Sequence, residues 1–349
     1  MPDRGQHTYS EIVTQADAWQ GSLAAVREQS AALGEWLNRP WGETVFTGCG
    51  STYYLSLTAA AIWRRWTHLA ARGVPASEVW LFPDTALPAT VAPLLVAVSR
   101  SGETTETLRA MNVYEARQGR DWLTIGCYDG RPLGERAPLA VIGRATEEES
   151  VAQTRSFTAM LVMAQAVALI AAGGDLASLD ALPAAARRVI GQYEGLARTL
   201  GEDMTIQRFT FLGSGVYYGL ACEAMLKMKE MSLSGSEAFH SLEFRHGPKS
   251  VVGPDMLVVG LVSDAIRDQE AAVLAEMREL GAKVLAIAEN ADGLPADYTV
   301  SLASGLDDAA RAPLALPALQ LLAYYRAMAK GLNPDRPTNL TTVVTLPDA

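Results

Sequence analysis

The stretch Leu94-Leu95-Val96-Ala97-Val98-Ser99-Arg100-Ser101-Gly102-Glu103-Thr104 decides the fold. Five apolar residues without alternation describe a strand buried on both faces, as in a parallel sheet covered by helices. The run stops at a hydroxyl-rich turn, and Thr105-Glu106-Thr107-Leu108-Arg109-Ala110-Met111 continues it as a helix. A helix N-terminus turns unpaired N–H groups and a favourable dipole toward such a turn. Ser99, Ser101 and Thr104 add hydroxyls at the same place. Hydrogen bonds to a charged group contribute about 1.5–3 kcal/mol each, so a few of them hold a phosphate without a lysine. An ordinary helix cap needs only one such hydroxyl. The density of hydroxyls favours an anion cradle.

Working outward, residues 8–38 read as a helical lead-in carrying Ile12, Trp19, Leu23 and Leu33. A strand at 44–47 runs into Gly48-Cys49-Gly50-Ser51-Thr52-Tyr53-Tyr54, followed by a helix over 55–69. Further strands are expected at 79–82, 124–127 and 139–142. Strands alternating with helices at this spacing predict a doubly wound α/β sheet. An apolar helix over 160–172 closes at Gly173-Gly174-Asp175, and 175–205 reads as a helical linker. A second pass begins near Phe209. An offset of 165 carries Gly48, Gly50 and Tyr53 onto Gly213, Gly215 and Tyr218, and an offset of 164 carries Val96–Ser99 onto Gly260–Ser263. The second copy continues Asp264-Ala265-Ile266-Arg267, without the cradle hydroxyls. The expectation is two tandem doubly wound parallel-sheet domains, with the cradle in the first only. The expected division is a lead-in at 1–34, a first domain at 35–195 and a second at 196–349.

Composition narrows the function. The 349 residues are 49% hydrophobic, which argues against long disorder. A net charge of −10 argues against nucleic-acid binding and requires local donors for any anionic ligand. Cys49, Cys127 and Cys222 are scattered and odd in number, so no disulfide framework or zinc pattern emerges. The start, Met1-Pro2-Asp3-Arg4-Gly5, leads into no apolar segment, and no run is long enough to span a bilayer. A cytoplasmic protein is expected, with no membrane partner. Only five of the 29 basic residues are lysines, and three of those are Lys227, Lys229 and Lys249.

That lysine cluster marks the second chemical region. From Gly219 to Met231 the chain reads as a helix apolar nearly all round, which predicts burial. Glu223, Lys227 and Glu230 share one stripe of it at i, i+4 and i+7. Buried charges are costly unless paired or used; a solvated Glu223–Lys227 pair would be the plain alternative. The next segment shifts the balance: Ser236 to Lys249 holds His240, Glu243, Arg245 and His246 before Gly247-Pro248, a sharp turn. A histidine in a turn suits proton transfer near neutral pH. The spacing of His240, Glu243 and His246 does not match a helical zinc motif, so no metal is expected. Gly48-Cys49-Gly50 lacks the third glycine and the following acidic residue of a dinucleotide site.

These motifs together resemble the tandem sugar isomerase (SIS) domain family: the isomerase half of glucosamine-6-phosphate synthase and phosphosugar isomerase/deaminase relatives. Gly48 to Tyr53 resembles the first sugar-phosphate loop, and Ser99 to Thr104 the S-x-S-G-E-T phosphate loop. Val151-Ala152-Gln153-Thr154-Arg155-Ser156-Phe157 resembles the V-A-S-T-K-x-F sugar loop, with Gln153 for serine and Arg155 for lysine. Glu223 to Glu230 resembles the E-x-x-L-K-x-K-E helix, Arg245 to Pro248 the K-H-G-P loop, and Pro337 to Leu340 the closing tail.

The resemblance implies phosphate and sugar binding by Gly50, Ser51, Thr52, Ser99, Arg100, Ser101, Thr104, Val151 and Gln153. It implies Glu230 as proton carrier between C1 and C2, with Glu223 and Lys227 beside it, and His246 as the aid to ring opening. It implies a homodimer with shared active sites, and no cofactor. Two departures matter. Asn339-Leu340-Thr341-Thr342 lacks the synthase's tail lysine, so no Schiff base is expected there. The start at Met1-Pro2 lacks the glutaminase cysteine, so glutamine-fed amination is not expected. The leading expectation is an amino-sugar phosphate deaminase/isomerase. The alternatives are an aldose–ketose phosphosugar isomerase, a fructosamine-phosphate deglycase, or a non-catalytic sugar-phosphate sensor.

Overall fold

The computed structural model describes residues 4–87, 93–119 and 121–346, so Met1-Pro2-Asp3 lie outside the described residues. β1 (Thr44–Gly48), β2 (Ala71–Pro75), β3 (Leu94–Ser99), β4 (Trp122–Gly126) and β5 (Leu139–Ile142) form one sheet. Its order is β2-β1-β3-β4-β5. β6 (Arg208–Gly213), β7 (Gly235–Phe239), β8 (Met256–Leu261), β9 (Lys283–Ala288) and β10 (Tyr298–Ser301) form the other, in the order β7-β6-β8-β9-β10. Every neighbouring pair is parallel. The two orders are the same, and both reverse direction beside the first strand of the repeat. Ligands of such sheets bind outside the strand carboxyl ends at that switch point.

The helices are α1 (Gln6–Val13), α2 (Gln15–Glu28), α3 (Ser30–Leu37), α4 (Ser51–Thr67) and α5 (Ala76–Leu81). They continue with α6 (Pro83–Ala86), α7 (Thr105–Gln118), α8 (Pro132–Arg136), α9 (Arg155–Ala171) and α10 (Leu182–Glu202). α11 (Tyr218–Ser232), α12 (Arg267–Glu279), α13 (Asp308–Arg311) and α14 (Pro317–Ala329) complete the chain.

Two compact units result. One holds the first sheet and comprises Asp17–Glu148, Arg155–Asp180 and Thr341–Ala349. The other holds the second sheet and comprises Met1–Ala16, Glu149–Thr154 and Ala181–Leu340. The lead-in is therefore divided, α1 belonging with the second sheet and α2 and α3 with the first. The first core gathers Leu95, Ala97, Met111, Tyr114 and Trp122, and the second Val258, Met277, Val284 and Ala286. Burying a large apolar side chain stabilises by about 1.5–3 kcal/mol, which is why the unbroken apolar runs become central strands.

Two expectations are corrected. The apolar run at 79–82 is not a strand: α5 covers it to Leu81, Phe82 is the helix C-cap, and the strand is β2, Ala71-Arg72-Gly73-Val74-Pro75. Among the described residues β2 pairs only with β1, and an edge strand needs neither continuous burial nor a full set of N–H donors. The repeat offset also slips by one. Thr47 and Leu212 correspond at 165, and they pair with Ala97 and Gly260, which therefore correspond at 163 rather than 164. One residue of slip exchanges the faces of a strand. Ser99, Ser101 and Thr104 thus correspond to Val262, Asp264 and Arg267, so each cradle hydroxyl is lost in the second copy.

Candidate active site

Gly48 ends β1 because a Cβ there would meet Thr52 Oγ1 at 2.5 Å, and Gly213 ends β6 for the same reason, against Tyr217. Gly50 and Gly215 turn the chain with φ of +55° and +58°, a conformation that favours glycine. The Thr52 hydroxyl closes this turn: it donates to Cys49 O at 2.9 Å and accepts from Cys49 N at 2.9 Å. Thr52 therefore shapes the loop, while Ser51, buried, opens α4 after Gly50.

In the same unit, Ser99 ends β3 and Thr104 is the N-cap of α7. Ser99 Oγ accepts from Gly102 N at 3.1 Å, Ser101 Oγ accepts from Glu103 N at 3.2 Å, and Ser101 Oγ lies 3.4 Å from Thr104 Oγ1. The three hydroxyls line one short turn at a helix N-terminus, a geometry that binds anions. Arg100 is buried, but its guanidinium is directed to Glu148 Oε2 at 3.6 Å and to the Thr342 carbonyl at 3.1 Å. It thereby ties the cradle to the tail, which also meets α7 through Thr105 N and Val344 O at 3.4 Å. Glu148, wholly buried, accepts from Ser156 N at 3.0 Å and from Ser156 Oγ. Sequence reasoning missed Glu148; its only signal was the acidic run just before Val151.

Val151 and Gln153 lie in the other unit, in an irregular segment. Val151 N donates to Asp335 O at 3.0 Å, and Gln153 Oε1 is buried with no hydrogen-bond partner among the described residues.

The second-sheet unit also holds the charged helix. α11 buries Leu220, Ala221, Ala224 and Met228, together with Glu223 and Lys227. The Lys227 ammonium lies 3.3 Å from Glu223 Oε1 and bonds to Glu230 Oε2. Burial alone would lower the lysine's pKa, but the two carboxylates outweigh it and hold the value above the ordinary lysine range. Glu230, 19% exposed, is the member of the triad that reaches solvent. A charge cluster buried on an apolar helix is thus the observed arrangement, not a solvated surface pair.

His246 is exposed at the turn before Gly247, whose φ is +124°. His240 stacks on Tyr218 with ring centroids 3.7 Å apart, and burial lowers its pKa while Glu243 opposes that shift. Lys249 and Arg245 both pair with Glu276 of α12. Among the described residues no group of three His, Cys, Asp or Glu stands close enough to hold a metal ion. No helix among them is long and apolar enough to cross a membrane.

Comparison with known proteins agrees with this fold. The SIS domain family model matches residues 39–170 and 206–312, and the chain belongs to that family. The glutamine–fructose-6-phosphate aminotransferase (isomerizing) of Aeropyrum pernix is 32% identical over 330 residues, covering 87% of this chain and 51% of that protein. The chain spans about half the length of the curated relatives it matches. Glucosamine-6-phosphate deaminase from Thermotoga maritima is 28% identical with a TM-score of 0.74, covering 93% of this chain and all of that one. Tagatose-6-phosphate ketose/aldose isomerase from Escherichia coli shares the fold, with a TM-score of 0.87 at 24% identity and 95% of each chain covered.

Proposed function

We propose that this chain is an amino-sugar phosphate deaminase/isomerase that converts a hexosamine 6-phosphate and water to a ketose 6-phosphate and ammonia. One observation carries the reading: Glu230 is the partly exposed end of a buried Glu223–Lys227–Glu230 triad on an apolar helix. A carboxylate in that setting is a positioned base whose charge the protein has already organised. The likeness to a deaminase at 28% identity supports the same class.

In the proposed sequence the hydroxyls of Ser51, Ser99, Ser101 and Thr104 hold the phosphate. His246 moves the proton that opens the sugar ring. Glu230 then takes the C2 proton and returns it at C1 through an enediol-type intermediate, leaving a C2 imine. Water adds to that imine and ammonia leaves, so the step consumes one water and no cofactor. Lys227 orients Glu230, and Glu223 balances the buried ammonium. A cytoplasmic homodimer, in which His246 serves the partner's site, belongs to the same proposal.

The test is to incubate the chain with a panel of hexosamine and hexose 6-phosphates and to measure ketose and ammonia together. Equal amounts of both support the proposal. Ketose without ammonia replaces it with plain aldose–ketose isomerisation. Binding without turnover across the panel would make the chain a sensor.

A further inference from the structure

We infer that Glu11, in the lead-in helix, is a positioning residue that fixes the loop presenting Val151 and Gln153 to the sugar. The inference rests on the proposed function. Glu11 is 4% exposed on α1, and a buried carboxylate is costly unless it is hydrogen-bonded. Three of its bonds go to one short segment. Oε1 accepts from Glu149 N at 2.5 Å and from Ser150 N at 3.2 Å, and Oε2 accepts from the Ser150 hydroxyl. Hydrogen bonds to an ionised acceptor are the strong ones, and two of these three hold backbone.

The next residues are anchored within the same compact unit. Val151 N donates to Asp335 O at 3.0 Å, while the Asp335 carboxylate accepts from Thr8 N and Thr8 Oγ1, each at 2.8 Å. At the far end, Gln320 Nε2 donates to Thr154 O at 3.0 Å, and Gln15 Nε2 donates to Gln320 Oε1 at 3.0 Å. Glu11, Gln15 and Gln320 are all buried. The backbone is therefore held at 149, 150, 151 and 154, although the segment has no regular secondary structure. Between those anchors lies Gln153, whose buried Oε1 has no partner among the described residues. A frame this complete around one unused acceptor suits a loop that orients a ligand. α14, which carries Gln320, also packs against α11, which carries Glu230.

The experiment compares Glu11→Gln, Glu11→Asp and wild type by KM and kcat for the active sugar phosphate, inhibition by inorganic phosphate, and amide exchange at 149–151. Loss of one charge-assisted bond predicts that Glu11→Gln raises KM about tenfold. Inhibition by inorganic phosphate should stay within about twofold, and exchange at 149–151 should rise about tenfold. Glu11→Asp should restore part of the KM. Unchanged KM and exchange in Glu11→Gln would overturn the inference, as would parallel loss of sugar-phosphate and inorganic-phosphate binding, the mark of a merely structural role. A wild-type chain that binds no sugar phosphate would overturn the proposed function itself, a result separable from any effect of the variants.

Discussion

Glu223 and Lys227 stand one helical turn apart, both buried, with the ammonium 3.3 Å from Glu223 Oε1 and bonded also to Glu230. Removing one partner of a buried pair leaves the other uncompensated, which costs about 3–5 kcal/mol. Lys227→Met should lower stability by about that amount in urea unfolding, and adding Glu223→Gln should recover much of it. The Glu223 and Glu230 carboxylates outweigh burial and hold the Lys227 pKa above the ordinary lysine value of 10.5. Its contribution is therefore full below pH 10.5 and is lost as pH rises from there through the folded value. An alkaline loss of stability present in wild type and absent from Lys227→Met checks that sign.

Ser101 and Thr104 face one turn at the N-terminus of α7, their hydroxyl oxygens 3.4 Å apart. Ser101→Ala and Thr104→Val should each weaken binding of the sugar phosphate about tenfold or more, the value of a hydrogen bond to a charged group. Calorimetry should show weak binding of the unphosphorylated sugar unchanged. Equal loss for both ligands would make the loop a structural cap.

The second sheet repeats the strand order but puts Val262, Asp264 and Arg267 where the first has Ser99, Ser101 and Thr104. Asp264 is engaged with Arg311 at 2.8 Å, and its carboxylate has no hydrogen-bond donor to offer an anion where Ser101 offers a hydroxyl. Titration should show one sugar phosphate per chain. Two equivalent sites would contradict the asymmetry of the repeat.

Burial pushes the thiols of Cys49 and Cys222 up to about 11, and that of Cys127 to about 12. At pH 8 about one thiol in a thousand or fewer is then a thiolate, the reactive form. A chromogenic disulfide reagent should find almost no thiol in the native protein and all three after denaturation. Rapid labelling of Cys49 in the native state would count against the close Gly48–Thr52 turn.

The parts of the fold legible in the sequence were those with one physical signature. β1, β3 and β4 are buried on both faces, so their apolar runs show without alternation. β2 and β7 stay hidden because each is an edge strand with a single neighbour and a mixed sequence, Ala71-Arg72-Gly73-Val74-Pro75 and Gly235-Ser236-Glu237-Ala238-Phe239. The Val79–Phe82 run misleads because four apolar residues are too few to separate helix from strand by period, and only Val79 among them is buried while Leu81 and Phe82 are exposed. The cradle hydroxyls and the Glu223–Lys227–Glu230 stripe were legible as local spacings. Glu11 and Asp335 were not, because their partners lie far away in the chain, and Glu148 was not, because one of its partners, Arg100, lies in the turn after another strand. Arg100, read as a phosphate ligand, is turned to Glu148 and the tail for a similar reason.

The central claim is that Glu230 carries the proton between C2 and C1. Turnover in heavy water measures it directly, by following deuterium at C2 of recovered substrate and at C1 of product. Wild type should incorporate solvent deuterium. Glu230→Gln should incorporate none, lose turnover, and still bind the sugar phosphate within several-fold of wild type. Deuterium incorporation retained by Glu230→Gln would contradict the mechanism.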